Sequence, residues 1–209
     1  MIWVKEITPV TKKKSKVILE GQPAFVLYRG ELSRYRIREE QEISEETYRE
    51  IIDEVLTKRA KLRLMHILTA QDRTETQLRE KLAKDGHPPV VIDRAIEYVR
   101  SYHYIDDERY ATQYLQSMSG KKSRRSIQFE LERRGVDREI LSRVFEECET
   151  ESEENQIEAL VRKRAGEPHR LDEKEYRRLY GFLARRGYSG SDISSVLSKF
   201  QHGDEEYFV

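Results

Sequence analysis

A chain of 209 residues with 37% charged and only 37% hydrophobic side chains has more surface to cover than a sphere of its mass, since roughly 25% charge is usual for a globular domain. Its 39 basic and 39 acidic side chains cancel, which excludes a polycation, so any affinity for nucleic acid has to come from a local patch. The single cysteine, Cys148, excludes an internal disulfide and a Cys-rich metal site, and no apolar run approaches the roughly 20 residues of a membrane span.

The first residues, Met1-Ile2-Trp3-Val4-Lys5-Glu6, hold no signal-peptide apolar core, and the expectation is a soluble cytoplasmic protein. Trp3-Val4-Lys5-Glu6-Ile7, Lys16-Val17-Ile18-Leu19-Glu20 and Ala24-Phe25-Val26-Leu27-Tyr28 are short and rich in β-branched and aromatic residues, with Gly21-Gln22-Pro23 between the last two. That pattern predicts a small antiparallel hairpin of two or three strands, leaning on helices because a bare hairpin is barely stable. Lys12-Lys13-Lys14 falls in its loop, as a solvated turn or a partner contact. Glu31 to Ile43 reads as charged and irregular, with one helical turn around Leu32.

Ser44 then has the character of an N-cap, with Glu45 and Glu46 where the helix dipole favours negative charge. No Gly or Pro intervenes before Thr69, which predicts one long helix through Tyr48, Ile51, Ile52 and Val55. Thr74-Glu75-Thr76-Gln77 has the capping-box pattern, and Pro88-Pro89 restarts the chain as a new helix. Asp106, Asp107 and Glu108 read as a helix start rather than a metal site, since adjacent carboxylates without other nearby donors are poor ligands. Glu146 to Glu154 is an acidic joint, Asp172 with Glu175 is another cap, and Ser189-Gly190-Ser191 opens the last helix. Phe200 closes the final helical segment, and Gln201 to Val209 is a polar tail expected to fray.

These helices repeat. An apolar residue, another four later and a Gly four after that occur three times, as Leu78, Leu82, Gly86; Ile127, Leu131, Gly135; and Leu179, Leu183, Gly187. Each Gly is followed by an apolar pair four apart: Ile92 and Ile96, Ile140 and Val144, Ile193 and Leu197. Each copy is preceded by another periodic stretch, holding Ala60, Leu64, Ile67 and Leu68; Tyr110, Ala111, Tyr114 and Leu115; and Ile157, Leu160 and Val161. Residues four apart share one helix face, and a Gly past the last turn takes the left-handed conformation that satisfies stray carbonyls. The reading is a mostly α fold: three tandem three-helix repeats in an elongated arrangement, preceded by a small N-terminal antiparallel β-hairpin. The segments are 1–43, 44–104, 105–148, 149–200 and a tail 201–209.

The chain holds no Gly-rich phosphate loop, no Gly-x-Ser-x-Gly elbow and no paired metal spacing among its five histidines. The expectation is therefore no enzyme, no cofactor and no metal. What stands out is a basic stretch: Lys121, Lys122, Arg124, Arg125, Arg133 and Arg134 place six positive charges in 14 residues, against Glu130 and Glu132. Four of them sit at a helix start, where positive charge opposes the dipole. Two readings stand side by side, a solvated helix face and a contact for phosphates or an acidic filament surface.

Tyr104-Ile105-Asp106-Asp107-Glu108-Arg109-Tyr110-Ala111 resembles the Gly-Tyr-Leu-Asp-Asp-Glu-Arg-Phe-Ala signature of the RecX family, regulators of the RecA recombinase. Arg73 to Leu82 and Ile127 to Gly135 are similar to the family's Arg-Ser-x-x-Glu-Leu-x-x-Lys-Leu and Ile-x-x-Glu-Leu-x-x-Lys-Gly segments. His103 stands where the family usually has Gly, and the basic loop lacks a Pro often found there. The resemblance covers about residues 55 to 200. It implies tandem three-helix repeats, no catalytic residues, and a monomer that binds RecA filaments and inhibits their ATPase and strand exchange. DNA would be met directly or through the filament. The alternatives are a stand-alone DNA-binding protein built from helix-turn-helix-like units and a purely structural scaffold.

Overall fold

The computed structural model describes residues 1–148 and 151–202. The chain forms two compact units, Met1–Asp107 and Glu108–Val209. The fold is mostly helical, with three three-helix repeats preceded in the chain by a small antiparallel sheet.

In the first unit, strands β1 (Ile2–Pro9), β2 (Lys14–Leu19), β3 (Phe25–Tyr28) and β4 (Gln41–Ile43) form one sheet in the order β3-β2-β1-β4. Alternation builds it: Val4, Val17, Leu19, Phe25 and Leu27 are buried while Lys5 and Lys16 face out. The fourth strand corrects the expectation of an irregular Glu31–Ile43 stretch. Helix α1 (Arg29–Arg34) leads to left-handed turns at Arg36 and Glu40, and Ile43 pairs with Ile2. An edge strand of three residues buries only Ile43, so it leaves almost no hydrophobic pattern.

Ser44 caps α2 (Glu45–Glu50), its Oγ accepting from the Thr47 N–H at 3.0 Å. The helix then continues through a π-helical segment, Ile51–Thr57, into α3 (Lys58–Ala70). The expected long helix therefore holds a stretch of wider turns, where the Thr57 hydroxyl donates to the Ile52 carbonyl at 2.8 Å. In α4 (Glu75–Lys84) the Thr74 Oγ1 accepts from the Gln77 N–H at 3.2 Å. The Gln77 Oε1 is buried without a partner, so the capping box closes on one side only. Helix α5 (Pro89–Ser101) starts on its proline, as expected. Leu64, Leu78, Leu82 and Ile96 bury against the inner face of the sheet and Ile51 and Leu56. His87 is buried at this contact, and burial pushes its pKa down to about 4, so it sits there neutral.

The second unit holds two repeats: α6 (Asp107–Met118), α7 (Arg124–Arg133) and α8 (Arg138–Glu147), then α9 (Glu153–Ala165), α10 (Glu173–Ala184) and α11 (Gly190–His202). Ala111, Leu115, Ile127, Leu131 and Val144 pack one core, and Ile157, Val161, Leu179, Leu183, Ile193 and Leu197 the other. Leu141 is the fully buried residue at the start of the α8 stripe, while Ile140 is half-buried beside it. The acidic joint falls partly on residues 149 and 150, and most of the tail on 203–209, which lie outside the described residues. Gln201 and His202 extend α11 past Phe200.

Gly86, Gly135 and Gly187 all adopt left-handed φ, at 87°, 82° and 88°. His103 does the same at 56°, following α5. Its N–H donates to the Arg100 carbonyl at 2.9 Å and the Tyr104 N–H to the Val99 carbonyl at 3.0 Å, which closes the helix end. The turn is thus built without glycine, at the steric cost of a Cβ in this region. His103→Gly should raise stability by about 0.5–1 kcal/mol, because relief of that strain outweighs the added freedom of the unfolded chain. An unchanged or lowered urea midpoint would show the His103 side chain contributes more than its backbone costs.

Candidate functional site

The structure separates the six basic residues. Lys122 Nζ pairs with Glu130 Oε1 at 2.5 Å, and the Tyr114 hydroxyl donates to the same carboxylate. The Lys122 ammonium, then the Tyr114 hydroxyl, hold Glu130 below the usual carboxylate range. Arg134 donates to the Tyr110 hydroxyl at 2.5 Å and stacks 4.3 Å from the Tyr114 ring centroid. Arg124 donates to the Phe145 carbonyl near the end of α8 and lies 4.8 Å from that ring. Lys121 donates to the Ser117 carbonyl at 2.8 Å, near the C-terminus of α6, where the dipole favours a cation. The charges that oppose one helix start therefore serve the ends of two other helices. Arg125 and Arg133 are exposed, with Arg133 6.0 Å from the exposed Phe129 ring.

The loop that carries Lys121 and Lys122 into α7 is also the seam between the second and third repeats. Ser123 is fully buried; its Oγ accepts from the Ser126 N–H at 3.1 Å, and its own N–H donates to the Arg186 carbonyl at 3.0 Å. The Arg124 N–H donates to Glu153 Oε1 at 2.7 Å. Gln156 Oε1 accepts from the Gly120 N–H at 3.3 Å and from the Tyr188 hydroxyl at 3.2 Å. Burial pushes the Tyr188 pKa up to about 12, so it remains a phenol and a donor.

This seam brings Lys121 to residues that sequence reasoning missed. Lys121, Lys163, Arg164 and Arg186 line one groove of about 370 Å³ with Leu160 and Phe182. The Arg164 and Arg186 guanidiniums lie 4.3 and 3.7 Å from the centroid of the Phe182 ring. Arg186 also donates to the Phe182 carbonyl at 3.2 Å. None of the four cations has an ion-pair partner among the described residues, although neighbouring Arg162 pairs with Glu158 and Glu167. Lys163 and Arg164 lie in the last turn of α9, where cations are ordinary complements of the dipole. Only their convergence with Arg186 and Lys121, 22 and 42 residues away from Arg164 and Lys163 in sequence, marks them.

Among the described residues no group of His, Cys, Asp and Glu is arranged to hold a metal ion, and no helix is long and apolar enough to cross a membrane. The fold and site define a three-helix repeat protein with a basic seam. Models of the first, second and third three-helix domains of RecX match residues 60–98, 106–144 and 151–197. A regulatory protein RecX from Caldanaerobacter subterraneus subsp. tengcongensis is 28% identical over 199 residues, covering 95% of this chain and 99% of the relative. One from a Mycobacterium species is 34% identical over 149 residues, covering 68% and 81%. A crystal structure of regulatory protein RecX superposes with a TM-score of 0.58 at 20% identity, over 95% of this chain and all of the other. That of RecX from Lactobacillus salivarius gives 0.57 at 18%, over 69% and 96%. The chain belongs to the RecX family.

Proposed function

We propose that this chain is a regulator that binds RecA recombinase filaments and inhibits their ATPase and strand-exchange activities, and so modulates recombination and DNA repair. The observation that carries the reading is the RecX family match in all three repeats. The physics is consistent with it. A protein of tandem repeats can touch several subunits of a helical filament, and contacts that are weak singly add through effective concentration. It acts as a monomer in the cytoplasm, and no catalytic group is needed.

The contact surface falls to the cations of the basic stretch that the fold does not use internally, Arg125 and Arg133, together with Lys121 at the exposed edge. The test is DNA-dependent RecA ATPase and strand exchange with increasing amounts of this protein. Wild type should depress both. Lys121→Glu, Arg125→Glu, Arg133→Glu combined should leave the fold intact, as exposed charges change stability little. It should need about tenfold more protein for half-inhibition, equivalent to roughly 1.4 kcal/mol, and added salt should weaken wild type toward it. Wild-type protein without effect on either activity would sink the reading.

A further inference from the structure

We propose that the groove lined by Lys121, Lys163, Arg164 and Arg186 binds the phosphodiester backbone of a nucleic acid strand directly, without RecA. The three repeats act as controls on one another. The residue before each left-handed Gly is Asp85, Arg134 or Arg186. In the first repeat Asp85 is paired with Arg63 on the preceding helix at 2.9 Å. In the second, Arg134 is held by the hydroxyls of Tyr110 and Tyr114 on the preceding helix. Each finds its polar partner inside its own repeat. In the third, the residue matching Arg63 and Tyr114 is Leu160, which offers no polar atom. Arg186 is left with a carbonyl and a ring, and three more cations stand around it.

Like charges gathered without a counter-ion repel, and a chain with 39 acidic side chains puts none of them in this groove. The arrangement suits a ligand that brings several negative charges in succession. The chemistry of the donors narrows it further. Two guanidiniums lie against one phenyl ring, so their positions are set before a ligand arrives and little side-chain freedom is lost on binding. A planar fork of donors matches a phosphate bidentately, and the exposed Lys121 and Lys163 add point charges beside it. The lining offers cations and no carboxylate, amide or hydroxyl, the donor set that neutralises phosphates, and phosphate contacts carry no sequence information.

The test uses the full-length protein and a fluorescein-labelled single-stranded oligonucleotide, followed by anisotropy with no RecA present. Arg164→Gln with Arg186→Gln should weaken binding at least about tenfold and flatten the salt dependence by roughly one to one and a half in the logarithmic slope, about 0.7 per lost phosphate contact. Lys121→Gln with Lys163→Gln, which leaves the aromatic packing alone, should weaken it in the same direction. Lys12→Gln with Lys13→Gln removes the same charge from the hairpin loop and should change affinity less than about twofold. A methylphosphonate oligonucleotide, with no backbone charge, should not compete. Unchanged affinity in both groove variants overturns the proposal, as does an equal loss in the hairpin variant. Groove variants that bind the oligonucleotide normally but lose inhibition of RecA would assign the groove to an acidic protein surface instead. Since RecA is absent from the binding assay, failure of the filament reading and failure of this one are read separately.

Discussion

Gly187→Ala will destabilise the second compact unit by on the order of 2–4 kcal/mol, combining backbone strain with overpacking. Gly187 has a φ of 88°, which a Cβ disfavours. That Cβ would also stand 2.7 Å from both Ser123 Oγ and Ser126 Cβ. Neither neighbour can give way cheaply. Ser123 Oγ is engaged by the Ser126 N–H, and the Ser123 backbone is tied to the Arg186 carbonyl. Gly120→Ala is the natural comparison: its φ is 72°, but nothing lies within 4 Å of the added Cβ. It should cost only the strain, about 1 kcal/mol. Urea titrations of the two variants separate the effects, and equal midpoints would mean the close approach at Gly187 relaxes freely.

Leu131→Ala should cost about 2–5 kcal/mol, the range for emptying a well-packed core site. Leu131 is fully buried on α7 among Ala111, Leu115, Ile127 and Val144. The surrounding side chains come from α6, α7 and α8, and side-chain caps at Ser123 and Asp137 fix the starts of α7 and α8, so collapse into the space is limited. Leu62→Ala on α3 removes the same atoms from a side chain that is 71% exposed and should stay within about 0.5 kcal/mol of wild type. Thermal melts by circular dichroism distinguish them. A small loss at Leu131 would show that this core is loosely packed.

The repeats were legible because their signal is local. Leu78 and Leu82, Ile127 and Leu131, and Leu179 and Leu183 each mark one face within two turns, and the glycines mark where the helix ends. Caps at Ser44, Thr74 and Asp172 were legible for the same reason. Strand β4 was not, since a pairing of Ile43 with Ile2 depends on residues far apart. Nor was the π-helical segment: Ile51-Ile52-Asp53-Glu54-Val55-Leu56-Thr57 contains no Gly or Pro to announce a change of winding.

At the site, the sequence identified a basic stretch but not its division of labour. Lys122 and Arg134 look like free charges in one dimension, while the fold gives them Glu130, Tyr110 and Tyr114. Arg164 and Arg186 look like ordinary helix-end cations until Phe182 brings them to one ring. Spatial convergence across 22 residues, or the 42 between Lys121 and Lys163, is set by packing, and no short-range pattern encodes it.

The seam at Ser123 also bears on how such a chain can be cut and re-engineered. Three similar repeats suggest three interchangeable modules, yet the second and third are dovetailed: a buried serine cap on α7 faces a glycine between α10 and α11, with a backbone hydrogen bond across the join. Deleting the third repeat, or splicing in a foreign one with a larger residue at Gly187, would damage the second as well. A graft at this join would have to bring the serine and the glycine together as a matched pair. The sequence counts three copies, but the last two interlock and have to be handled as one piece.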